Sequence, residues 1–392
     1  MPLQPLNLSL RDRMNLNRRQ FLQLGAGGLL GSALAITASR TLGQQNRFAQ
    51  SRSYENRTPP SPSPQTTLRI AVISDLNEAY GATQYSDEVK QAIARLPQWN
   101  PDLVLCSGDM VAGQNRSLSR AQIQAMWAAF DRDITQPLRQ ARLPFGFTLG
   151  NHDASRATRG TTFSFAEERN LAAAYWNDPA HDPGLNFVDR YKFPFYYTFQ
   201  HNRVFFLVWD ASSGSRMPAD DIAWVERSLG SAAAQQADMR IVIGHLPLYG
   251  VAVGRDRPGE VLDDAASLHA LLERYSVHTY ISGHQHAYFP GHLGNLEMLH
   301  TGAMGAGPRQ LIVGNLPPRK TLTLVDVNWA SQDTTYTTFE LPSLRQIDQA
   351  MLPRVIPSHN GSVIRRDLDW EQLTTTEQAS CRVHLPSSLC HT

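Results

Sequence analysis

Six stretches of nearly continuous apolar character run along the chain, and each of them breaks into Asp, Asn or His at or near its end. They are RIAVISDLN (Arg69–Asn77), LVLCSGDM (Leu103–Met110), PFGFTLGNHD (Pro144–Asp153), VFFLVWD (Val204–Asp210), RIVIGH (Arg240–His245) and TYISGHQH (Thr279–His286). Unbroken apolar runs of this length predict strands buried on both faces of a sheet. Between them the period changes to that of helices. Ser86–Trp99 places Val89, Ile93 and Leu96 on one face with Ser86 as N-cap, and Ser119–Ala141 continues with Ile123, Met126, Trp127, Phe130, Ile134 and Leu138. Asp220–Ala234 and Asp263–Tyr275 read the same way. FYYTFQHNRVFFLV (Phe195–Val208) predicts two strands meeting at a His201-Asn202 turn, and shorter strand-like runs follow at Leu296–His300, Lys320–Val327 and Thr334–Leu341. Strands alternating with helices in this way predict a two-sheet α/β sandwich.

Composition changes that picture at the ends of the chain. The 392 residues are 42% hydrophobic and 18% charged, enough to bury a sizeable core. With 36 Lys and Arg against 35 Asp and Glu, the charge carries no footprint of a nucleic-acid-binding surface or of an anionic membrane. At the N-terminus, NRRQFLQLGAGGLLGSALAITASR (Asn17–Arg40) resembles a twin-arginine export signal. Its apolar run is too short and glycine-rich to span a bilayer well, although an anchoring helix is the other reading. Residues 1–43 are therefore expected to be a signal peptide, 44–66 a Pro/Ser-rich linker, 67–341 the folded domain and 342–392 a C-terminal tail. The mature protein is expected to have no membrane span and to work in the periplasm or outside the cell. Of three cysteines, Cys106 reads as a core residue, while Cys381 and Cys390 are candidates for a disulfide in an oxidising compartment.

The chemistry gathers where the strands end. In an open α/β sheet the loops at the carboxyl ends of strands share one crevice. Asp75, Asp109, Asn151, His152, Asp153, His245, His284 and His286 all sit at such ends. Aspartates, an asparagine and histidines form a mixed oxygen and nitrogen ligand set, which suits first-row divalent metals better than calcium or structural zinc. Taken singly, His245 reads as a structural histidine and Asn151 as a turn residue; five converging strand ends reverse that. His284 and His286, one residue apart, would project together from an extended segment. Asp153 could instead cap the helix that follows. Arg309, His300 and Tyr249 are expected on loops near the same rim, and the segment Ala154–Lys192 reads either as a lid or as a helix packed over the sheet.

The ordered series Asp, Gly-Asp, Gly-Asn-His-Asp, Gly-His, Gly-His-x-His resembles the calcineurin-like metallophosphoesterase superfamily, over residues from about 68 to 330. The resemblance implies an α/β/β/α sandwich with a dinuclear metal site at the strand C-terminal ends. It implies that Asp75 and His286 bind the first of two divalent ions, that Asn151, His245 and His284 bind the second, and that Asp109 bridges them. The ions would be Mn, Fe, Zn or Mg, with Mn favoured. A metal-bridging hydroxide would attack a small phosphomonoester or phosphodiester, His152 would protonate the leaving group, and Asp153 would orient its ring. The superfamily usually has Asp-x-His where this chain has Asn77, so the first site is expected to be weak, with Asn77 as a neutral oxygen donor. Nor does a tyrosine follow the second motif as in purple acid phosphatases, since Ala112 stands there. A catalytically weak or inactive metal-binding relative is the competing reading, and it rests on Asn77 alone.

Overall fold

The computed structural model describes residues 66–384, except 330 and 332. The expected export signal and nearly all of the expected linker lie outside the described residues, as does Cys390. Two sheets carry the fold. In the first, the spatial order is Arg345–Gln346, Asp333–Leu341, Lys320–Asn328, Thr66–Ile73, Leu103–Cys106 and Phe145–Phe147. The second runs Val355–Ser358, Gly361–Arg365, Phe289–Leu293, Leu296–His300, Thr279–Ser282, Met239–Ile243, Val204–Val208, Tyr196–His201 and Asn186–Lys192. The motif-bearing strands are parallel to one another within each sheet, as Thr66–Ile73 is to Leu103–Cys106 and Met239–Ile243 is to Thr279–Ser282, while Thr66–Ile73 pairs antiparallel with Lys320–Asn328 on its other side. Every residue of Leu103–Cys106, Val204–Val208 and Thr279–Ser282 is buried, which is why these strands are apolar without alternation.

Aromatic contacts show how the layers lock. Between the sheets, Phe147 lies 5.6 Å from Tyr197, whose hydroxyl accepts from the Phe147 amide at 3.0 Å. At the edge strand of the first sheet, the helix Arg120–Phe130 sets Phe130 against Phe145, and Ala166–Asn177 stacks Trp176 on Phe147 with ring centroids 3.7 Å apart. The segment that could have been a lid is thus a helix packed over the sheet. The helix Ala219–Leu229 sets Trp224 against Tyr191 and Tyr196 of the second sheet. Helices outside and two sheets within make the α/β/β/α sandwich.

Several local expectations shift by small amounts with identifiable causes. Ser119 caps its helix reciprocally with Gln122, but the long helix read through Ala141 passes through a π-helical turn at Asp131–Thr135. Ser86 stands at its N-cap position without accepting a hydrogen bond. The hairpin turn is Asn202-Arg203, one residue later than expected, because His201 still pairs with Val204 and Asn202 takes the positive φ of 52°.

The larger correction concerns residues 342–392. Instead of a tail, Arg345–Gln346 extends the first sheet and the hairpin Val355–Ser358/Gly361–Arg365 adds two strands to the second, through Gly291 opposite Arg365. Strands of two to five residues set between prolines give too little period to read. A helix, Thr375–His384, follows; on it Cys381 is buried and disulfide-bonded. No described helix is long and apolar enough to cross a membrane.

The strand leading to Asp75 is held by charge as well as by apolar packing. Arg69 forms a two-pronged pair with Asp326, Nε to Oδ1 at 2.6 Å and Nη2 to Oδ2 at 2.8 Å, and also donates to the Trp99 carbonyl. Arg69 is 4% exposed. Asp326→Ala would break this buried, two-pronged ion pair, so urea unfolding should show a loss of about 3–5 kcal/mol. Arg120→Ala, which opens a solvent-exposed pair with Glu167, should cost under about 1 kcal/mol. Equal midpoints for the two variants would contradict this assignment.

Candidate metal centre

Strands from both sheets deliver the site, and the backbone turns sharply as each one ends. Asp75, Asp109, His284 and His286 all take left-handed φ values, of 49°, 54°, 65° and 53°. For residues with a Cβ this costs about 1–2 kcal/mol each. The turn swings each side chain back over the ends of the sheets. Two glycines make the approach possible. A Cβ on Gly150 would stand 2.1 Å from Asp109 Oδ1, and one on Gly283 would stand 2.3 Å from Ser74 Oγ. The expectation that His284 and His286 share a face of an extended segment is corrected: they lie in a left-handed turn, and their rings still go to neighbouring positions.

The side chains meet in two overlapping groups. In the first, His286 Nε2 is 3.2 Å from Asp75 Oδ1, and the Asp75 carboxylate accepts from Ser74 Oγ at 2.6 Å and from the His284 amide. In the second, Asn151 Oδ1 faces His245 Nε2 at 2.9 Å and His284 Nδ1 at 2.8 Å. Asp109 lies between the groups. Its Oδ2 is 3.2 Å from His245 Nε2, and ligand atoms of Asp75, Asp109 and His245 all fall within 4.8 Å of one another.

The donor set fits metal ions. A neutral imidazole has one N–H and one lone pair. His245 Nδ1 contacts the Ser107 carbonyl at 2.8 Å and His286 Nδ1 contacts the Gly307 carbonyl at 2.9 Å, so these N–H groups point outward. Their Nε2 lone pairs then face carboxylate and amide oxygens. With both rings neutral, acceptors converge on acceptors, and either a proton or a metal cation must lie between them. Asn77 supports the same reading: it is 6% exposed, and its buried Oδ1 has no hydrogen-bond partner among the described residues.

The electrostatics keep most of these groups ready to bind. Burial opposes ionisation of Asp109, yet His245, His152 and the His152 amide hold its carboxyl far below the usual range. Asp75 is lowered in the same way, burial being outweighed by His286. Burial pushes His284 down to about 3, which keeps it neutral, against the pull of Glu260. His245 goes the other way: burial opposes its charge, but Asp109 raises it to about 9. A metal arriving there displaces a proton.

His152 and Asp153 do not form the expected pair. The His152 ring is oriented by the Gly113 carbonyl, 3.0 Å from Nδ1, with Tyr80 against it at 5.1 Å between centroids. Its Nε2 is 3.9 Å from Asp109 Oδ2. Asp153 turns inward, accepting from the amides of Gly150 and Val111 at 2.8 Å each, and so closes the turn that presents Asn151 and His152. This is the capping role, and it overturns the assignment of Asp153 to the His152 ring. Burial and the charge of Asp109 raise Asp153 to about 7.

Of the rim residues, Arg309 alone lines the cleft. His300 is fully buried between the carbonyls of Tyr249 and Phe289, and Tyr249 is buried against His269. Two functional residues escaped the sequence reading. Glu260 Oε2 lies 2.8 Å from His284 Nε2, and Arg255 Nη1 reaches the same nitrogen at 2.8 Å while pairing with Glu260. The charged loop GRDRPGE (Gly254–Glu260), shortly after the Gly-His motif, was the available signal. The cleft above the centre has a volume of about 800 Å³, and Asn151, His152 and His284 lie on its wall.

The chain is similar to known phosphoesterases. The calcineurin-like phosphoesterase family matches residues 68–288. Serine/threonine-protein phosphatase CPPED1 of Mus musculus is 26% identical over 244 residues, covering 57% of this chain and 68% of the mouse protein. Its Rattus norvegicus counterpart is 24% identical over 250 residues, with the same shares covered. Among solved structures, purple acid phosphatase PPD1 from yellow lupin (Lupinus luteus) shares the fold with a TM-score of 0.51 at 16% identity, over 74% of this chain and 54% of the lupin chain. The chain spans about half the length of that plant enzyme. With the metal-binding motifs inside the matched region, the chain belongs to the calcineurin-like phosphoesterases, metal-dependent hydrolases of phosphoric esters.

Proposed function

We propose that the protein hydrolyses small phosphomonoesters or phosphodiesters with two divalent cations, manganese favoured. Asp75, Asn77 and His286 would hold the first, Asn151, His245 and His284 the second, and Asp109 both. The observation that carries this reading is the convergence of lone pairs from five strand ends around Asp109, with His152 Nε2 beside it. When bound, the cations would supply a water of lowered pKa and neutralise charge on the phosphoryl oxygens. The rest falls to the chain's own groups. The carbonyl of Gly113 holds His152 by Nδ1, so Nε2 is the atom from which a proton would pass to the leaving oxygen. Asp153 keeps the turn bearing Asn151 and His152 in shape through two backbone amides. Glu260 and Arg255 fix the ring of His284 from behind. The mouse relative's name, a serine/threonine-protein phosphatase, supports the monoester side.

Purified protein should hydrolyse p-nitrophenyl phosphate or its bis-ester when Mn²⁺ is added. Asp109→Asn should lose bound metal and lower kcat/KM by roughly 10³-fold or more, since one carboxylate serves both positions. Full metal content with normal turnover in that variant would show the assignment to be wrong.

His152→Ala should keep its metal and lose about 10²–10⁴ in kcat on esters with poor leaving groups, and far less on p-nitrophenyl esters. A loss that is the same for every leaving group would argue against proton donation.

Calorimetric titration of Mn²⁺ into metal-free protein should find one tighter and one looser site. Asn77→His should tighten the looser one by about 10–100-fold, because imidazole is the stronger donor. Two equally tight sites, indifferent to Asn77→His, would remove Asn77 from the ligand set and with it the ground for the inactive-relative reading.

A further inference from the structure

The wall of the cleft on the His284 side carries more positive charge than the metal centre uses. Arg255, Arg257 and Arg309 all line it, against the carboxylates of Glu260 and Asp263. Glu260 serves two of the arginines at once, Arg255 at 2.8 Å through Oε2 and Arg257 at 3.0 Å through Oε1. Arg309 is left over. Among the described residues its guanidinium has no hydrogen bond and no ion pair, and its Nε is buried without a partner. Its backbone is tied to the metal-centre side of the cleft, because its amide donates to the His286 carbonyl at 2.9 Å. A Cβ built on Gly254, on the loop that carries Arg255 and Arg257, would stand 3.5 Å from its Nη1. A guanidinium on the loop tied to the His286 turn, lining an open cleft, with donors uncommitted, is a receptor for an oxyanion.

We propose that Arg309, with Arg257 beside it, binds a second anionic group of the substrate, a phosphate or a carboxylate, while the metal centre takes the phosphoryl group that is hydrolysed. This rests on the phosphoesterase reading of the same cleft and narrows its substrates to esters with two separate anionic groups. Glu260 accounts for why the subsite lies on Arg309 rather than Arg255: the carboxylate holds Arg255 against His284, so that arginine stays with the metal-binding ring.

Ethyl phosphate, phosphoglycolate and ethylene glycol bisphosphate separate the possibilities, because the second adds a carboxylate and the third a phosphate to the same two-carbon ester. With Mn²⁺ in excess, kcat/KM for at least one of the two doubly anionic esters should exceed that for ethyl phosphate by about tenfold or more, the worth of a charge-assisted hydrogen bond. Which of the two gains identifies the second group. Arg309→Ala should bring that ratio close to one, and Arg309→Lys should restore part of it. A ratio near one in the native protein overturns the proposal. So does a ratio that survives Arg309→Ala, or a loss in that variant equal for all three esters, which would assign Arg309 to the hydrolysed phosphoryl group. Calorimetric binding of the same three compounds to the Mn²⁺-loaded protein gives the ratio independently of turnover. A protein that binds doubly anionic esters selectively but hydrolyses nothing would therefore fail the phosphoesterase reading and keep the subsite.

Discussion

Two carboxylates of like charge, Asp75 and Asp109, are buried side by side at the ends of adjacent strands, with at most 1% of either exposed to solvent. At a separation near 5 Å, two such charges repel by about 3 kcal/mol even at an effective dielectric of 20. Neither relieves the strain by taking up a proton, since both are held below the usual carboxyl range. Histidines from the opposite sheet supply part of the compensation, and a bound metal ion would complete it. The crowding of Asn151, His245, His284 and His286 around these two groups is a response to that repulsion. It also explains why the site draws on both sheets: one sheet brings the acids and the asparagine, the other brings the imidazoles.

Holding such a cluster requires backbone that would be unfavourable elsewhere. Four ligand-bearing residues sit in left-handed conformations, and the glycines beside them leave room for carboxylate or hydroxyl oxygens where any side chain would collide. The cost is carried by the surrounding layers. Strands with every residue buried, the Phe147–Trp176 stack and the Arg69–Asp326 pair anchor the segments leading into the turns. Local strain of this kind persists only when its neighbours overdetermine it.

That division explains what could be read from the chain alone. The strands were legible because burial on both faces demands apolar residues at every position, and the candidate ligands stood out because metal-binding chemistry favours Asp, Asn and His, here next to glycine. The π-turn after Phe130 and the strands of 355–365 were not, since neither leaves a periodic trace. Asp153 was misread because an acid beside a histidine looks like its partner, whereas two backbone amides hold it facing inward. Glu260 and Arg255 were missed because they reach His284 through space from a loop whose charges look like solvated surface.

The pairing of Arg69 with Asp326 joins residues 257 positions apart. On a ribosome adding about 5–20 residues per second, the first strand of the domain waits roughly 13–50 s for the neighbour that neutralises its guanidinium and covers its edge. Asp75 is carried by that early strand, while His284 and His286 are made much later. The metal centre is thus a property of the finished chain. Until the late strand slides in beside the early one, the nascent protein carries half of an ion site and an open sheet edge.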